Sequence, residues 1–181
     1  EVDEKEVQLT VTNVGERDGA EVVQLYVGFP DSVVFRPQKE LKGFQKVFLK
    51  AGESKRVHIP FDDKTFRYWN VKTGQWEIEE GEYLLMVGAS VSDIRLSGKL
   101  WVAGTTKEIP YEKKKLPSYY SGRISNVGAE EFEVLLGHPV PDGKWKGELG
   151  INDAICQMYY AKSPLARLIC RILKHRLENA Q

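Results

Sequence analysis

The chain has 181 residues, 41% hydrophobic and 29% charged, with 26 Lys+Arg against 26 Asp+Glu. That length holds one ordinary domain with an appendage, or two small domains, and the composition excludes wholesale disorder. The formal net charge of zero gives no support to a nucleic-acid partner.

Charge is divided slightly along the chain. Residues 1–104 carry 14 Lys+Arg and 17 Asp+Glu, and residues 105–181 carry 12 and 9. That asymmetry is too small to assign a polyanionic ligand. No apolar run is long enough to span a bilayer, so no membrane partner is expected. The chain opens EVDEKEV, with neither an initiator Met nor a signal-peptide pattern. It reads as an excised fragment.

Residues 1–103 are expected to form strands. Val7, Leu9 and Val11 alternate with polar neighbours, the period of a half-buried strand. NVGERDGA at 13–20 is a turn, after which Val23, Leu25 and Val27 alternate again. A loop opens at Pro30 and closes at Pro37. Residues 39–49 form a third strand and Ala51–Ser54 a tight turn. Val57, Ile59 and Phe61 share a face. Lys72–Gln75 reads as a hairpin tip between short strands near Tyr68 and Trp76. Glu80-Gly81 turns into an apolar strand at 82–89, and a last strand carries Ile94, Leu96, Leu100 and Val102. About seven strands with a turn every 8–12 residues give an immunoglobulin-like antiparallel sandwich. Two sheets bury apolar faces that neither could bury alone.

Residues 104–122 change character. Pro110, Pro117, a lysine triplet and the absence of periodicity predict an extended linker, or a strap lying on another surface. Residues 123–181 read as a helical extension. Phe132, Leu135 and Leu136 have helical spacing before Gly137, a C-cap. His138–Gly147 is a loop, and Asn152 is expected to cap a helix bearing Ile155, Met158 and Tyr159. Pro164 suits a helix first turn. Leu165, Leu168, Ile169, Ile172 and Leu173 then form an apolar stripe opposite Arg167, Arg171 and Lys174. The stripe is expected to pack on the sandwich or on a domain outside the chain. Running almost to Gln181, it suggests a truncated end.

Several residues are of types that can carry chemistry. Glycoside hydrolysis needs two carboxylates about 5–5.5 Å apart for retention, or farther apart for inversion. Glu77 and Glu79 sit two apart on one face of a presumed strand, and Asp62 and Asp63 are adjacent in a turn. Without a sugar pocket, both pairs read as solvated surface charge. His58, His138 and His175 are isolated, and no zinc-ligand spacing, phosphate loop or GxSxG elbow occurs. No cofactor or metal is expected. Cys156 and Cys170 read as two buried free thiols in a reducing setting, which favours a cytoplasmic location. Pro164 leaves a bridge between two helices open. Tyr68, Trp69 and Trp76 either form a flat platform for a sugar ring or fill the core or a domain interface. Tyr119 and Tyr120 are candidates to anchor the linker.

The segment EVVQLYVGFPDSVVFRPQKELKGFQKVFLKAGESKRVHIPF, followed by FRYWNVKTGQWEIEEGEYLLMVGASVSDIRLSG, resembles the C-terminal fibronectin type III-like module of family 3 glycoside hydrolases, the β-glucosidase group. Roughly residues 5–103 carry the resemblance. EEFEVLLGHPVP and the helices after it are similar to a C-terminal extension of some bacterial members. The resemblance implies that catalytic carboxylates lie in upstream domains, so no catalytic residue falls in this chain. It further implies a module that packs against and stabilises those domains, its partners within the same polypeptide. Two rivals stay open. One is a carbohydrate-binding module that takes oligosaccharide on Tyr68, Trp69 and Trp76. The other is a protein-interaction or adhesion domain. In this wording Arg36-Pro37 fixes the start of a strand, Gly43 marks a bulge or close backbone approach, and Gly52 and Gly81 suit turns needing positive φ.

Overall fold

The computed structural model describes residues 5–141, 148–150 and 153–179. The loop expected at His138–Gly147 falls largely outside the described residues, as does the cap expected at Asn152. The chain forms two compact units, Glu1–Val140 and Pro141–Gln181.

The first unit is an antiparallel β-sandwich. Strands β1 (Glu6–Thr12) and β4 (Ser54–Pro60) pair as one sheet. Strands β2 (Gly19–Gly28), β3 (Glu40–Leu49), β7 (Gly81–Ser90) and β8 (Asp93–Val102) form the other, in the order β3-β2-β7-β8. Two short strands, β5 (Tyr68–Asn70) and β6 (Gln75–Glu77), make a separate hairpin. The described residues thus carry eight strands, where the turn spacing predicts about seven.

The period-2 pattern explains which side chains meet. Val7, Val57 and Ile59 from the small sheet join Val23, Leu25, Val27, Leu85 and Val87 from the large one in a single core. Leu25, Tyr83 and Leu85 have at most 1% of their surface exposed. Each such side chain stabilises the fold by about 1.5–3 kcal/mol on area alone. Phe29 stacks on Tyr83 with ring centroids 4.4 Å apart, and Phe66 meets Tyr83 edge-on at 5.0 Å.

Two glycines are required by space. At Gly43 the β2–β3 register slips, so that Leu25 faces Gly43 while Tyr26 faces Leu41. A Cβ at Gly43 would stand 2.7 Å from Ile59 Cγ2, across the sandwich. Gly81 has φ +152°, and a Cβ there would come 2.7 Å from the Phe29 ring. Bulge and close approach therefore both occur at Gly43.

After β8 the chain remains part of the first unit through residue 140. A single 3-10 turn, Lys113–Lys115, leads into the short helix α1 (Pro117–Ser121). Leu116 between them is fully buried. Helix α2 (Ala129–Leu136) ends at Gly137 in a left-handed conformation, φ +79°. A Cβ at Gly137 would lie 2.7 Å from Val71 Cβ, which seats the helix end against the β5–β6 hairpin.

The second unit comprises a 3-10 segment, Ile155–Tyr160, and helix α3 (Pro164–Glu178). Ser163 Oγ caps α3 by accepting from Ala166 N, and Pro164 occupies its first turn. The buried residues of α3 are Ala166 and Cys170, whereas Leu165, Leu168, Ile169, Ile172 and Leu173 of the apolar stripe are all exposed. Both cysteines are free. Cys170 is buried but Cys156 is exposed, so the expectation of two buried thiols is half corrected. Among the described residues no helix is long and apolar enough to cross a membrane.

Gly43→Ala is expected to lower stability by about 1–3 kcal/mol through overpacking against Ile59. Thermal or urea unfolding checks this, and an unchanged midpoint would mean that the two sheets separate without cost at this point.

Candidate functional site

Of the buried polar residues, Glu77 and Glu79 lie where β6 runs into β7, with Asn70 bonded to Glu77. Sequence reasoning expects Glu77 and Glu79 to be solvated. The structure corrects this, because both are only 5% exposed. A carboxylate removed from water must find donors, and each finds its own set.

Glu77 closes the β5–β6 hairpin. Asn70 Nδ2 donates to its Oε2 at 2.8 Å and Thr73 Oγ1 to its Oε1 at 2.6 Å, with the Tyr68 hydroxyl 3.4 Å away. Asn70 is fully buried and also donates to the Glu108 carbonyl at 2.8 Å. Burial alone would raise the Glu77 pKa. Hydrogen bonds from Thr73, Asn70 and Tyr68, with the charge of Lys107, outweigh burial and hold it below its ordinary value.

Glu79 moors a different segment. Ser32 Oγ donates to its Oε2 at 2.6 Å and Val33 N to its Oε1 at 2.8 Å. Arg36 Nη1 lies 3.6 Å from Oε2, while Arg36 Nε and Nη2 both reach Glu40 Oε1 at 2.8 Å. The Tyr83 hydroxyl donates to the Glu79 carbonyl at 3.0 Å. Burial, first of all, pushes the Tyr83 phenol up to about 12. Arg36 thus does more than precede a proline, since it ties the Pro30–Pro37 loop to both β3 and Glu79.

The two carboxylates therefore sit in separate hydrogen-bonded nests. Glu77, held below its ordinary value, lacks the raised pKa of a general acid. Asp62 caps a 3-10 turn by accepting from Lys64 N at 2.9 Å, which accounts for the other acidic pair. His58 is exposed beside Glu6 at 3.3 Å. Among the described residues no group of His, Cys, Asp and Glu could hold a metal ion.

The three aromatic candidates are divided by the strand alternation. Tyr68 points inward, 7% exposed, with its hydroxyl 3.0 Å from Thr106 Oγ1; burial is the main reason its pKa is raised. Trp69 and Trp76 face each other across β5–β6 and are 48% and 61% exposed. Their rings meet edge to face, 5.5 Å between centroids and 72° between planes. The outward aromatic surface is therefore one ring face and one ring edge, and Tyr68 is not part of it.

Sequence reasoning did not foresee a second aromatic group. Phe35, in the loop held by Glu79, packs against Tyr119 and Tyr120 of α1 at 5.2 and 5.4 Å. Phe35 N donates to the Tyr111 hydroxyl at 2.9 Å, and Lys113 Nζ stands 4.6 Å from the Tyr120 ring centre. Residues 104–122 are thus latched to the sandwich's own loop. The pair Tyr119-Tyr120 carried the signal, but its docking surface could not be named from sequence spacing.

Comparison with known proteins gives this architecture its class. Residues 21–91 match the fibronectin type III-like domain. The chain is 47% identical over 104 residues to an exo-alpha-(1->6)-L-arabinopyranosidase of Bifidobacterium breve, covering 58% of this chain and 14% of that one. It is 46% identical over 101 residues to the thermostable beta-glucosidase B of Acetivibrio thermocellus, covering 56% of this chain and 13% of that one. The crystal structure of a GH3 beta-glucosidase from Bifidobacterium adolescentis superposes with a TM-score of 0.55 at 30% identity, covering 91% of this chain and 18% of that one. The chain spans only 13–14% of the length of these two curated relatives. It carries, then, a fibronectin type III-like domain. Within that class it matches a C-terminal domain of β-glucosidase-like family 3 glycoside hydrolases.

The lowered pKa of Glu77 has a direction in pH. Its stabilising contribution is present above the ordinary value of 4.5 and is lost as pH falls through the lower folded value. Glu77→Gln is expected to cost about 1–3 kcal/mol at neutral pH and to flatten the loss of stability below pH 4.5. Urea unfolding at a series of pH values measures both effects, and an unchanged acid slope would contradict the assignment.

Proposed function

We propose that this chain is a non-catalytic accessory module of a family 3, β-glucosidase-like glycoside hydrolase. In this reading the module packs against the catalytic domains of its own polypeptide and stabilises them, and those domains cleave the O-glycosyl bond. The observation that carries the reading is the burial of Glu77 and Glu79 in separate nests of structural donors, in a chain whose relatives are glycosidases. Both carboxylates are committed to holding loops, so Glu77 and Glu79 do not serve as an acid/nucleophile pair facing a substrate.

Apolar surface for such packing is available. Leu41, Phe44 and Phe48 project from β3 with 52%, 67% and 55% of their surface exposed. A row of this kind on one strand is more than scattered surface apolarity and suits a protein interface. Trp69 and Trp76 add a second exposed aromatic area suited to such an interface.

The chain alone is expected to leave aryl β-glucosides unhydrolysed. Added to a family 3 catalytic fragment lacking its own module, it is expected to raise that fragment's melting temperature by several degrees, the size of about 1–2 kcal/mol of linkage. Turnover by the isolated chain would overturn the non-catalytic reading, and an unaltered melting temperature would overturn the packing role.

A further inference from the structure

A cleft of about 800 Å³ lies between the Phe29–Lys39 segment and the Lys113–Gly122 segment. Its volume is that of a small-molecule site. Aromatic rings of Phe35, Tyr119 and Tyr120 form part of its wall. Its charged lining residues are Arg36, Lys39 and Lys113, and no Asp or Glu lines it.

The three cations are not equivalent. Arg36, with 9% of its side chain exposed, is neutralised by Glu40 and Glu79, yet its Nη1 has no hydrogen-bond acceptor among the described residues. Lys39 Nζ reaches only the Val91 carbonyl at 3.0 Å, and Lys113 Nζ lies over the Tyr120 ring. Neither lysine has a carboxylate partner among the described residues. The cleft therefore combines aromatic rings with two ammonium groups that no carboxylate among the described residues neutralises, and Ser32, Gln38 and Ser121 also line it.

We propose that this cleft binds a pyranose bearing a carboxylate, the uronic-acid unit of an oligosaccharide. The apolar C–H face of the ring would lie on Phe35 or Tyr119, because an aromatic face is electron-rich. The carboxylate would take charge-assisted hydrogen bonds from Lys113 and Lys39. The choice of a saccharide rests on the glycoside-hydrolase reading above, and the choice of an acidic one rests on the lining charge. The site is distinct from Trp69 and Trp76, which lie on the β5–β6 hairpin.

The test is a titration of the 181-residue chain, followed by amide NMR shifts, with methyl β-glucuronide, methyl β-glucoside and acetate in parallel. Saturable shifts at Phe35, Lys113 and Tyr120 are expected for the glucuronide, with affinity at least about tenfold above that for the glucoside and weakening as salt is added. Lys113→Ala and Lys39→Ala should each weaken glucuronide binding by about tenfold or more in a chain whose core resonances are unchanged, while Trp69→Ala should bind as the unaltered chain does. Equal responses to glucoside and glucuronide would overturn the acidic specificity. An equal response to acetate would reduce the site to a counter-ion cloud, and no saturation by any of the three would overturn the binding site and leave the cleft as a protein-docking surface. No catalysis and no upstream domain enters this measurement. A negative result therefore leaves the accessory-module reading standing, and failure of that reading leaves any glucuronide binding intact.

Discussion

A carboxylate taken out of water must be met by donors, and Glu79 is where this constraint shapes most of the molecule. Ser32, Val33 and Arg36 converge on its side chain, and the hydroxyl of the buried Tyr83 converges on its carbonyl. One residue thus fastens an eight-residue loop to the strand that supplies the centre of the core. The loop then presents Phe35, on which Tyr119 and Tyr120 pack. The cleft and the latched strap both follow from that single mooring. Removing one member of such a set leaves a buried group unpaired, which is worth more than the bond itself.

Glu77 repeats the device on a smaller scale. Asn70 and Thr73 close the hairpin onto it, and the hairpin in turn supports Trp69 and Trp76 on its outer side. The chemistry that could be mistaken for a glycosidase pair is spent in holding backbone. A carboxylate whose pKa is held low by three hydrogen-bond donors is a poor proton donor near neutrality. The same physics that makes the fold specific therefore commits these residues to holding backbone, as the proposed accessory module requires.

The sandwich was legible because its signals are local. Val23, Leu25 and Val27 alternate, the apolar run at 82–89 contains Tyr83, Leu85 and Val87, and the structure buries all six. Gly43 and Gly81 mark places where two parts of the chain touch. The site was less legible because its contacts are distant in sequence. Glu79 meets Ser32 across 47 residues and Phe35 meets Tyr111 across 76. Spacing can place Glu77 and Glu79 on one face of a strand, but it does not say that loops will cover that face. Alternation likewise sends Trp69 and Trp76 outward and Tyr68 inward only once the hairpin register is fixed.

The central claim is that Glu79 holds the loop from Pro30 to Pro37 in place. Amide hydrogen exchange of the chain and of Glu79→Gln tests it most directly, with core amides of Leu25 and Leu85 as internal references. Faster exchange at Val33 and Phe35 by about tenfold or more, with the core amides unchanged, is the predicted result. Equal protection of the loop in both proteins would contradict it.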